Sequence, residues 1–176
     1  MNRSGGEAPV IRTFEGKTPR VAESAFVSEA AYVIGDVEIG EGSGVFPGAV
    51  IRGDFASIRI GRNTMVEDNV VIHSGVPVEI GDNNTIGHSV VVHCARIGDN
   101  CLIGNNATLL DNAEIGSFCV IAAGALVSQG MKVPDHSMVV GIPGRIREVS
   151  ARMQQRTGGG PSAYSELVKR YRVQDL

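Results

Sequence analysis

Aliphatic residues recur every six positions along most of this chain, and this period constrains the fold more than any other feature. The longest unbroken series is Ile97, Ile103, Leu109, Ile115, Ile121 and Val127. The earlier series are Val21, Val27, Val33, Ile39, Val45 and Ile51, then Ile60, Val66 and Ile72, then Ile80, Ile86 and Val92. A six-residue period fits neither an amphipathic helix nor a simple alternating strand. It fits a chain that coils around a triangular prism, with one short strand and one corner in each hexapeptide.

The residues around each aliphatic position agree with such a prism. Glycine often follows the aliphatic residue, as in Ile39-Gly40 and Ile97-Gly98, and the residue four positions after it is usually small, as at Ala49 and Ala107. The chain has 23 glycines and no tryptophan, and only 5% of its residues are aromatic although 43% are apolar. The sequence therefore predicts a narrow aliphatic core and parallel strands stacked about 4.8 Å apart.

The repeat covers roughly residues 21–130, and the pattern ends at Val133-Pro134. We expect a lead-in segment over residues 1–20, a β-helix over 21–144 and C-terminal helices over 145–176. The segment Val139–Gly144 is interpreted as the turn that leads out of the coil.

Two helices are predicted in the C-terminal region. The first covers about Arg145 to Arg156, and the second begins near Pro161-Ser162, where serine can cap a helix and proline suits its first turn. The second helix carries an apolar stripe that we expect to pack against the prism. Its members are Tyr164, Leu167, Val168 and Tyr171.

Three of the four histidines lie between residues 73 and 93. His73 directly follows the inward Ile72, and His93 directly follows the inward Val92. The steps from Ile72 to Val92 make one full coil with two residues inserted at a corner. His73 and His93 are therefore predicted to lie on one face, one above the other and about 5 Å apart at the backbone.

His88 follows Ile86 by two positions, which places it on a different face from His73 and His93. It can meet those two histidines only across the contact between two adjacent prisms, and three such contacts close a ring. The spacing thus predicts a homotrimer with three sites at its interfaces. Three neutral imidazoles leave a tetrahedral zinc ion one open position, which is the catalytic arrangement, and zinc bound in this way lowers the pKa of water to about 7.

Charged residues surround the predicted site. Arg52 follows the inward Ile51 and lies one coil before His73 on the same face, with Asp54 close by. Asp68 lies under His88 on the other face, so an arginine of one subunit and an aspartate of the next would form an ion pair beside the metal. Glu67 is the carboxylate expected to touch the metal-bound water.

These residues resemble a known family. Three segments are similar to motifs of the gamma-class carbonic anhydrases, in their short-loop subclass. They are Arg52-Gly53-Asp54, the segment Glu67 to Ser74 with His73, and the segment Ile86 to Cys94 with His88 and His93. The resemblance covers nearly the whole chain. It implies a left-handed β-helix, a homotrimer, and zinc (or iron or cobalt) bound by His73 and His93 of one subunit and His88 of its neighbour.

The resemblance also implies roles for other residues. Arg52 matches the arginine that positions bicarbonate, and Asp54 and Asp68 match carboxylates that form inter-subunit ion pairs. Tyr164 matches a C-terminal tyrosine near the site in some short members. The chain departs from the family at Glu67, where glutamine is usual. It also lacks the acidic loop, since only Ser74-Gly75-Val76-Pro77 follows His73.

Three functions remain open at this point. The first is a carbonate dehydratase, which hydrates carbon dioxide reversibly to bicarbonate. The second is a coenzyme A-dependent acyltransferase or thioesterase, because many hexapeptide-repeat proteins are acyltransferases. The third is a metal-binding homologue with little activity. The net charge of −3 predicts no nucleic-acid partner, no segment is apolar enough for a membrane span, and no signal peptide is evident in residues 1–10, so a cytoplasmic location is expected.

Overall fold

A computed structural model describes residues 10–150, 153 and 163–174, with the side chains of 166–173 in the last range. Within these ranges, the elements that can be bounded are twenty strands and one helix. The strands are β1 (Val10–Arg12), β2 (Arg20–Val21), β3 (Phe26–Val27), β4 (Tyr32–Ile39), β5 (Gly44–Val45), β6 (Val50–Ile60), β7 (Met65–Val66), β8 (Val71–His73), β9 (Val78–Ile80), β10 (Thr85–Ile86), β11 (Val91–Val92), β12 (Arg96–Ile97), β13 (Leu102–Ile103), β14 (Thr108–Leu109), β15 (Glu114–Ile115), β16 (Val120–Ile121), β17 (Leu126–Val127), β18 (Lys132–Val133), β19 (Ser137–Val140) and β20 (Arg145–Glu148). The helix is α1 (Ala163–Gln174).

Strands β1 to β19 stack in parallel on three faces of a prism, so the expected parallel β-helix with a C-terminal helix is confirmed. One face, which we name the histidine face, holds β1, β4, β6, β8, β11, β14 and β17. The charged face holds β2, β4, β6, β9, β12, β15 and β18. The helix face holds β3, β5, β7, β10, β13, β16 and β19. The long strands β4 and β6 pass from the histidine face to the charged face without a break, which joins those two faces in one sheet.

The core is a single column of aliphatic side chains along the prism axis. Ile51, Ile72 and Val92 lie in register on successive coils of the histidine face and are completely buried. The residue in the small position adds a second buried column, in which Thr64 donates to the carbonyl of Gly81 and Asn84 donates to the next coil. The predicted narrow aliphatic core is therefore confirmed.

Left-handed backbone conformations occur at many corners, often at asparagine. Asn63, Asn83 and Asn106, for example, have φ values of 49°, 58° and 59°. Asparagine tolerates this conformation better than most residues that carry a side chain, which explains its place in the repeat.

The coil extends beyond the repeat in both directions. Val10 pairs in parallel with Tyr32, so the first strand of the histidine face lies within the predicted lead-in segment. At the other end, Met138 pairs in parallel with Val120, and Val139 is fully buried. The coil therefore continues past Val133-Pro134, and Val139 belongs to its last strand rather than to the exit turn.

The helix predicted from Arg145 is wrong over its first residues. Strand β20 folds back antiparallel to β19, with Val140 opposite Arg145 and Ser137 opposite Glu148. The last coil ends in unpaired backbone groups, and the returning strand hydrogen-bonds to them, which outweighs the weak local preference for helix. The remainder of that predicted helix and the glycine linker at 158–160 lie outside the described residues, apart from Met153.

Helix α1 packs on the early coils of the helix face, as the apolar stripe predicted. Val168 is buried against Phe26, Phe46 and Met65, and the neighbouring Leu167 and Tyr171 pack on the same cluster. The rings of Tyr171 and Phe26 lie 5.1 Å apart between centroids. The side chain of Tyr164 lies outside the described part of the helix. No helix within the described residues is long and apolar enough to cross a membrane.

Candidate metal centre

Two of the three clustered histidines stack on the histidine face. Strands β6, β8 and β11 pair in register, so that Arg52 lies beside His73 and the strand of His93 follows on the next coil. The ring centroids of His73 and His93 are 5.7 Å apart, with the planes tilted by 57°. The predicted stacking of these two imidazoles is thus seen in the structure, and both rings are partly buried.

Asp54 holds two of these side chains together. Its carboxylate contacts His73 Nε2 at 3.0 Å and accepts a hydrogen bond from Arg52 Nη1 at 2.9 Å. Gly53 allows this arrangement, because a Cβ there would lie 2.5 Å from the carbonyl oxygen of Asp36 on the adjacent strand. Arg52 and Asp54 therefore pair within one chain, and an ion pair between subunits stays a prediction.

His88 lies at a corner after the helix-face strand β10 and contacts two carboxylates. Strand β7 pairs with β10, and Ile86 lies beside Val66. This register brings Asp68 Oδ2 to 2.9 Å from His88 Nδ1 and Glu67 Oε2 to 3.0 Å from His88 Nε2. Glu67 is buried, with only 3% of its surface exposed, whereas nearly half of the His88 side chain is exposed. The predicted placement of Asp68 under His88 is seen, and Glu67 also reaches the ring.

Sequence reasoning missed two residues of this region. The Oδ1 atom of Asp111 lies 3.1 Å from His93 Nδ1. The phenyl ring of Phe55 lies edge-on to His73, with the centroids 5.7 Å apart, and is 79% exposed. The repeat arithmetic that placed Asp68 could have found Asp111, because it follows the inward Leu109 by two positions. No periodic signal marks Phe55, which lies where β6 turns the corner.

Each histidine of the cluster therefore contacts at least one carboxylate. Metal-bound histidines usually donate their second ring nitrogen to such a partner, which orients the ring. In the described part of the chain, no group of three or more potential ligands is close enough to hold one metal ion. His88 does not join His73 and His93 within the described part of one chain, and a three-histidine site shared between chains stays a prediction.

Two other candidates lie away from the cluster. Cys94 follows His93, but its side chain is completely buried in the core, and burial raises the pKa of its thiol to about 12. His136 stacks on Phe118 at another corner, with ring centroids 4.8 Å apart, and lies on the surface.

Comparison with known proteins agrees with the repeat and with the family resemblance. Residues 94–129 match the family model described as "Bacterial transferase hexapeptide (six repeats)". The chain is 40% identical over 137 residues to "Gamma carbonic anhydrase 2, mitochondrial" of Arabidopsis thaliana, which covers 73% of this chain and 49% of the relative. It is 44% identical over 128 residues to "Probable carbonic anhydrase" of Methanocaldococcus jannaschii, covering 72% of this chain and 80% of the relative.

A solved structure from Bacillus cereus, titled a putative acetyltransferase, superposes with a TM-score of 0.90 at 35% identity. The match covers 94% of this chain and 98% of that one. The chain spans about half the length of the plant relative. The fold and the repeat thus define a hexapeptide-repeat β-helix protein. Within that class, the chain belongs to the gamma-class carbonic anhydrase family.

Proposed function

We propose that this protein is a metal-dependent carbonic anhydrase that hydrates carbon dioxide reversibly to bicarbonate. The observation that supports this most is the stacked pair His73 and His93 beside Arg52, together with His88 at another corner. Every one of these imidazoles contacts a carboxylate within hydrogen-bonding distance.

The donor set suits zinc. Imidazole nitrogens are preferred zinc ligands, three of them leave one open position, and iron or cobalt accept the same donors. When bound, the metal supplies a Lewis acid that makes hydroxide available near neutral pH. His73 and His93 of one chain and His88 of a second chain would hold it.

We propose a homotrimer as the active form, because one face of the prism presents an apolar surface beside the histidines. The outward residues directly before the inward ones form a ladder across the coils, which we name the apolar ladder. Its members are Val10, Tyr32, Val50, Val71, Val91, Thr108 and Leu126. Tyr32, Val71 and Val91 are each 37% exposed in the single chain. A second copy that covers this ladder would bring its own His88 to the stacked pair, and a three-fold rotation closes the ring.

The chain's own residues have distinct tasks in this proposal. Arg52 supplies a guanidinium beside His73 that holds the oxygens of bicarbonate, and Asp54 orients both side chains. Asp68 orients His88 through Nδ1. Glu67 is buried and contacts His88 Nε2, and with the metal bound it would accept the proton that hydration releases. Tyr164, which matches a C-terminal tyrosine of some short family members, would lie near the site.

The test is stopped-flow hydration of carbon dioxide by zinc-loaded and iron-loaded protein. We expect metal-dependent hydration in the native sequence and its loss in His88→Ala. The matched control is His136→Asn, which removes a surface histidine at a corner where asparagine tolerates the φ of 55°. Equal losses in both variants, or no hydration from fully metallated protein, would contradict the proposal.

An acyl-transfer function is the second candidate, because the Bacillus cereus structure is titled a putative acetyltransferase. The same preparations should therefore be assayed for transfer from, and hydrolysis of, acetyl-coenzyme A. Metal-independent turnover of the thioester without hydration would favour this candidate. Full metallation with neither activity would favour a metal-binding homologue.

We also propose a cytoplasmic location. Cys94, Cys101 and Cys119 are all free thiols, and thiols stay unpaired in a reducing compartment.

A further inference from the structure

We propose that Asp111 is a positioning residue of the metal centre, which holds His93 in the tautomer whose Nε2 is free to bind the metal. This inference rests on the proposed function for its purpose, although the geometry is a property of the chain itself. The Oδ1 atom of Asp111 lies 3.1 Å from His93 Nδ1. Nothing in the family resemblance gave this residue a role.

The register of the coils places Asp111 where it is. Leu109 lies beside Val92 on the next strand of the histidine face, and the backbone N–H of His93 donates to the carbonyl of Leu109 at 2.9 Å. His93 is thereby fixed to the strand that leads into Asp111. The corner that follows Leu110 brings the carboxylate of Asp111 to 3.1 Å from His93 Nδ1.

The chemistry of the contact determines which nitrogen is available. The two atoms lie within hydrogen-bonding distance, and a carboxylate without a proton only accepts hydrogen bonds, so a hydrogen bond between them would require the proton on His93 Nδ1. In a neutral imidazole the lone pair then lies on Nε2, which is the nitrogen left to bind a metal. Free imidazole exchanges between two tautomers, and a hydrogen bond to Asp111 would disfavour the unsuitable one.

A purely structural role does not account for the side chain of Asp111. Other aspartates at corners of this chain brace the backbone. Asp82 accepts from the N–H of Arg62, Asp99 from that of Asp82, and Asp135 from that of Ser117. In the described part of the chain, the carboxylate of Asp111 instead has His93 as its polar partner.

Two measurements test the proposal on the native protein and on Asp111→Ala. The first is 15N NMR of the histidine rings in metal-free protein at about pH 9, where free imidazole is neutral. We expect His93 to be protonated at Nδ1 in the native protein and to shift toward the other tautomer in the variant. The second is the zinc dissociation constant from calorimetry, which we expect to rise about 10- to 100-fold.

The matched control is Glu114→Ala, which removes an exposed carboxylate three residues further along the chain, on the charged face, where it pairs with Lys132. It should leave the tautomer and the zinc dissociation constant unchanged. Asp111→Asn keeps an oxygen acceptor, so it should restore part of the affinity lost in Asp111→Ala.

An unchanged tautomer in Asp111→Ala would overturn the proposal, and so would an altered tautomer with native zinc affinity. If the native protein binds zinc but does not hydrate carbon dioxide, the proposed function fails while the role of Asp111 stands. If the native protein binds no zinc, both the metal centre and this role in it are refuted, whatever the tautomer.

Discussion

The histidine face and the charged face share one backbone architecture but carry opposite outward side chains. On the charged face, the outward residues alternate in sign from coil to coil. They are Arg20, Glu38, Arg59, Glu79, Arg96, Glu114 and Lys132. Some of these neighbours form ion pairs, such as Arg59 with Glu38 and Lys132 with Glu114. At the equivalent positions of the histidine face lies the apolar ladder.

This difference shows which residues determine the fold and which determine the function. The inward residues are alike on the two faces, for example Ile72 and Ile80, and both are buried. They specify the coil and do not distinguish one face from the other. Alternating charges attract their neighbours across each strand pair and keep the charged face in water. An apolar ladder beside a polar cluster is the pattern expected of a face that another chain covers.

The largest expected effect comes from breaking the apolar ladder. Val71→Glu places a carboxylate between Val50 and Val91, in the surface that the second copy would cover. Burial of an unpaired charge costs at least about 3 kcal/mol, which weakens association more than about 100-fold. We expect monomers by sedimentation velocity, together with loss of carbon dioxide hydration.

The control for this variant lies on the other face. Arg96→Ala alters an outward residue of the charged face, between Glu79 and Glu114, and should leave the mass of the assembly unchanged. Dissociation by Arg96→Ala with intact assembly in Val71→Glu would reverse the assignment of the two faces.

Much of the fold and part of the site could be predicted from the sequence, because a solenoid is set by a repeating local pattern. The period alone placed Ile51, Ile72 and Val92 inward and stacked His73 under His93, as the structure shows. The same counting placed Asp68 under His88. The number of residues between a given residue and the nearest inward position determines its place on the prism. Contacts between distant parts of the sequence can therefore be predicted by counting residues.

Counting along the repeat did not predict the structure where the chain departs from the six-residue period. Arg145 to Glu148 forms a strand because an open edge lies beside it, and no local pattern records that edge. Phe55 was missed because β6 crosses a corner there and carries more residues than the period allows. The contact between Arg52 and Asp54 within one chain, at 2.9 Å, was not foreseen either, and the expected ion pair between subunits stays a prediction. These outcomes depend on three-dimensional neighbours rather than on sequence spacing.

An intermediate effect, on the free energy of unfolding, is expected from a substitution in the interior that both faces share. Asn84→Ala removes the hydrogen bond from its amide to the carbonyl of Gly98 and the bond that its oxygen accepts from the N–H of Cys101. Both partners are buried, so we expect the free energy of unfolding to fall by about 2–4 kcal/mol. Urea unfolding followed by circular dichroism measures it. The adjacent Asn83→Gly, exposed and with φ of 58°, should change stability by less than about 0.5 kcal/mol, and equal losses would contradict the assignment.

The smallest expected effect on the free energy of unfolding comes from removing a carboxylate that pairs with Arg59 of the charged face. Asp36 lies beside Arg59 and Lys17, at 2.7 Å and 3.1 Å, and hydrogen bonds from these two cations hold the pKa of its carboxyl below the ordinary value. Asp36→Asn should lower the free energy of unfolding by about 0.5–1 kcal/mol at neutral pH. Because the pKa of the folded state is lowered, this stabilisation is complete above the ordinary carboxyl pKa of 3.8 and is lost as the pH falls through the lowered value. Urea titrations of both proteins should therefore converge in acid, while Glu29→Gln, an exposed carboxylate at a corner, should match the native protein throughout. A gap between Asp36→Asn and the native protein that persists in acid would mean that packing, rather than charge, accounts for the loss.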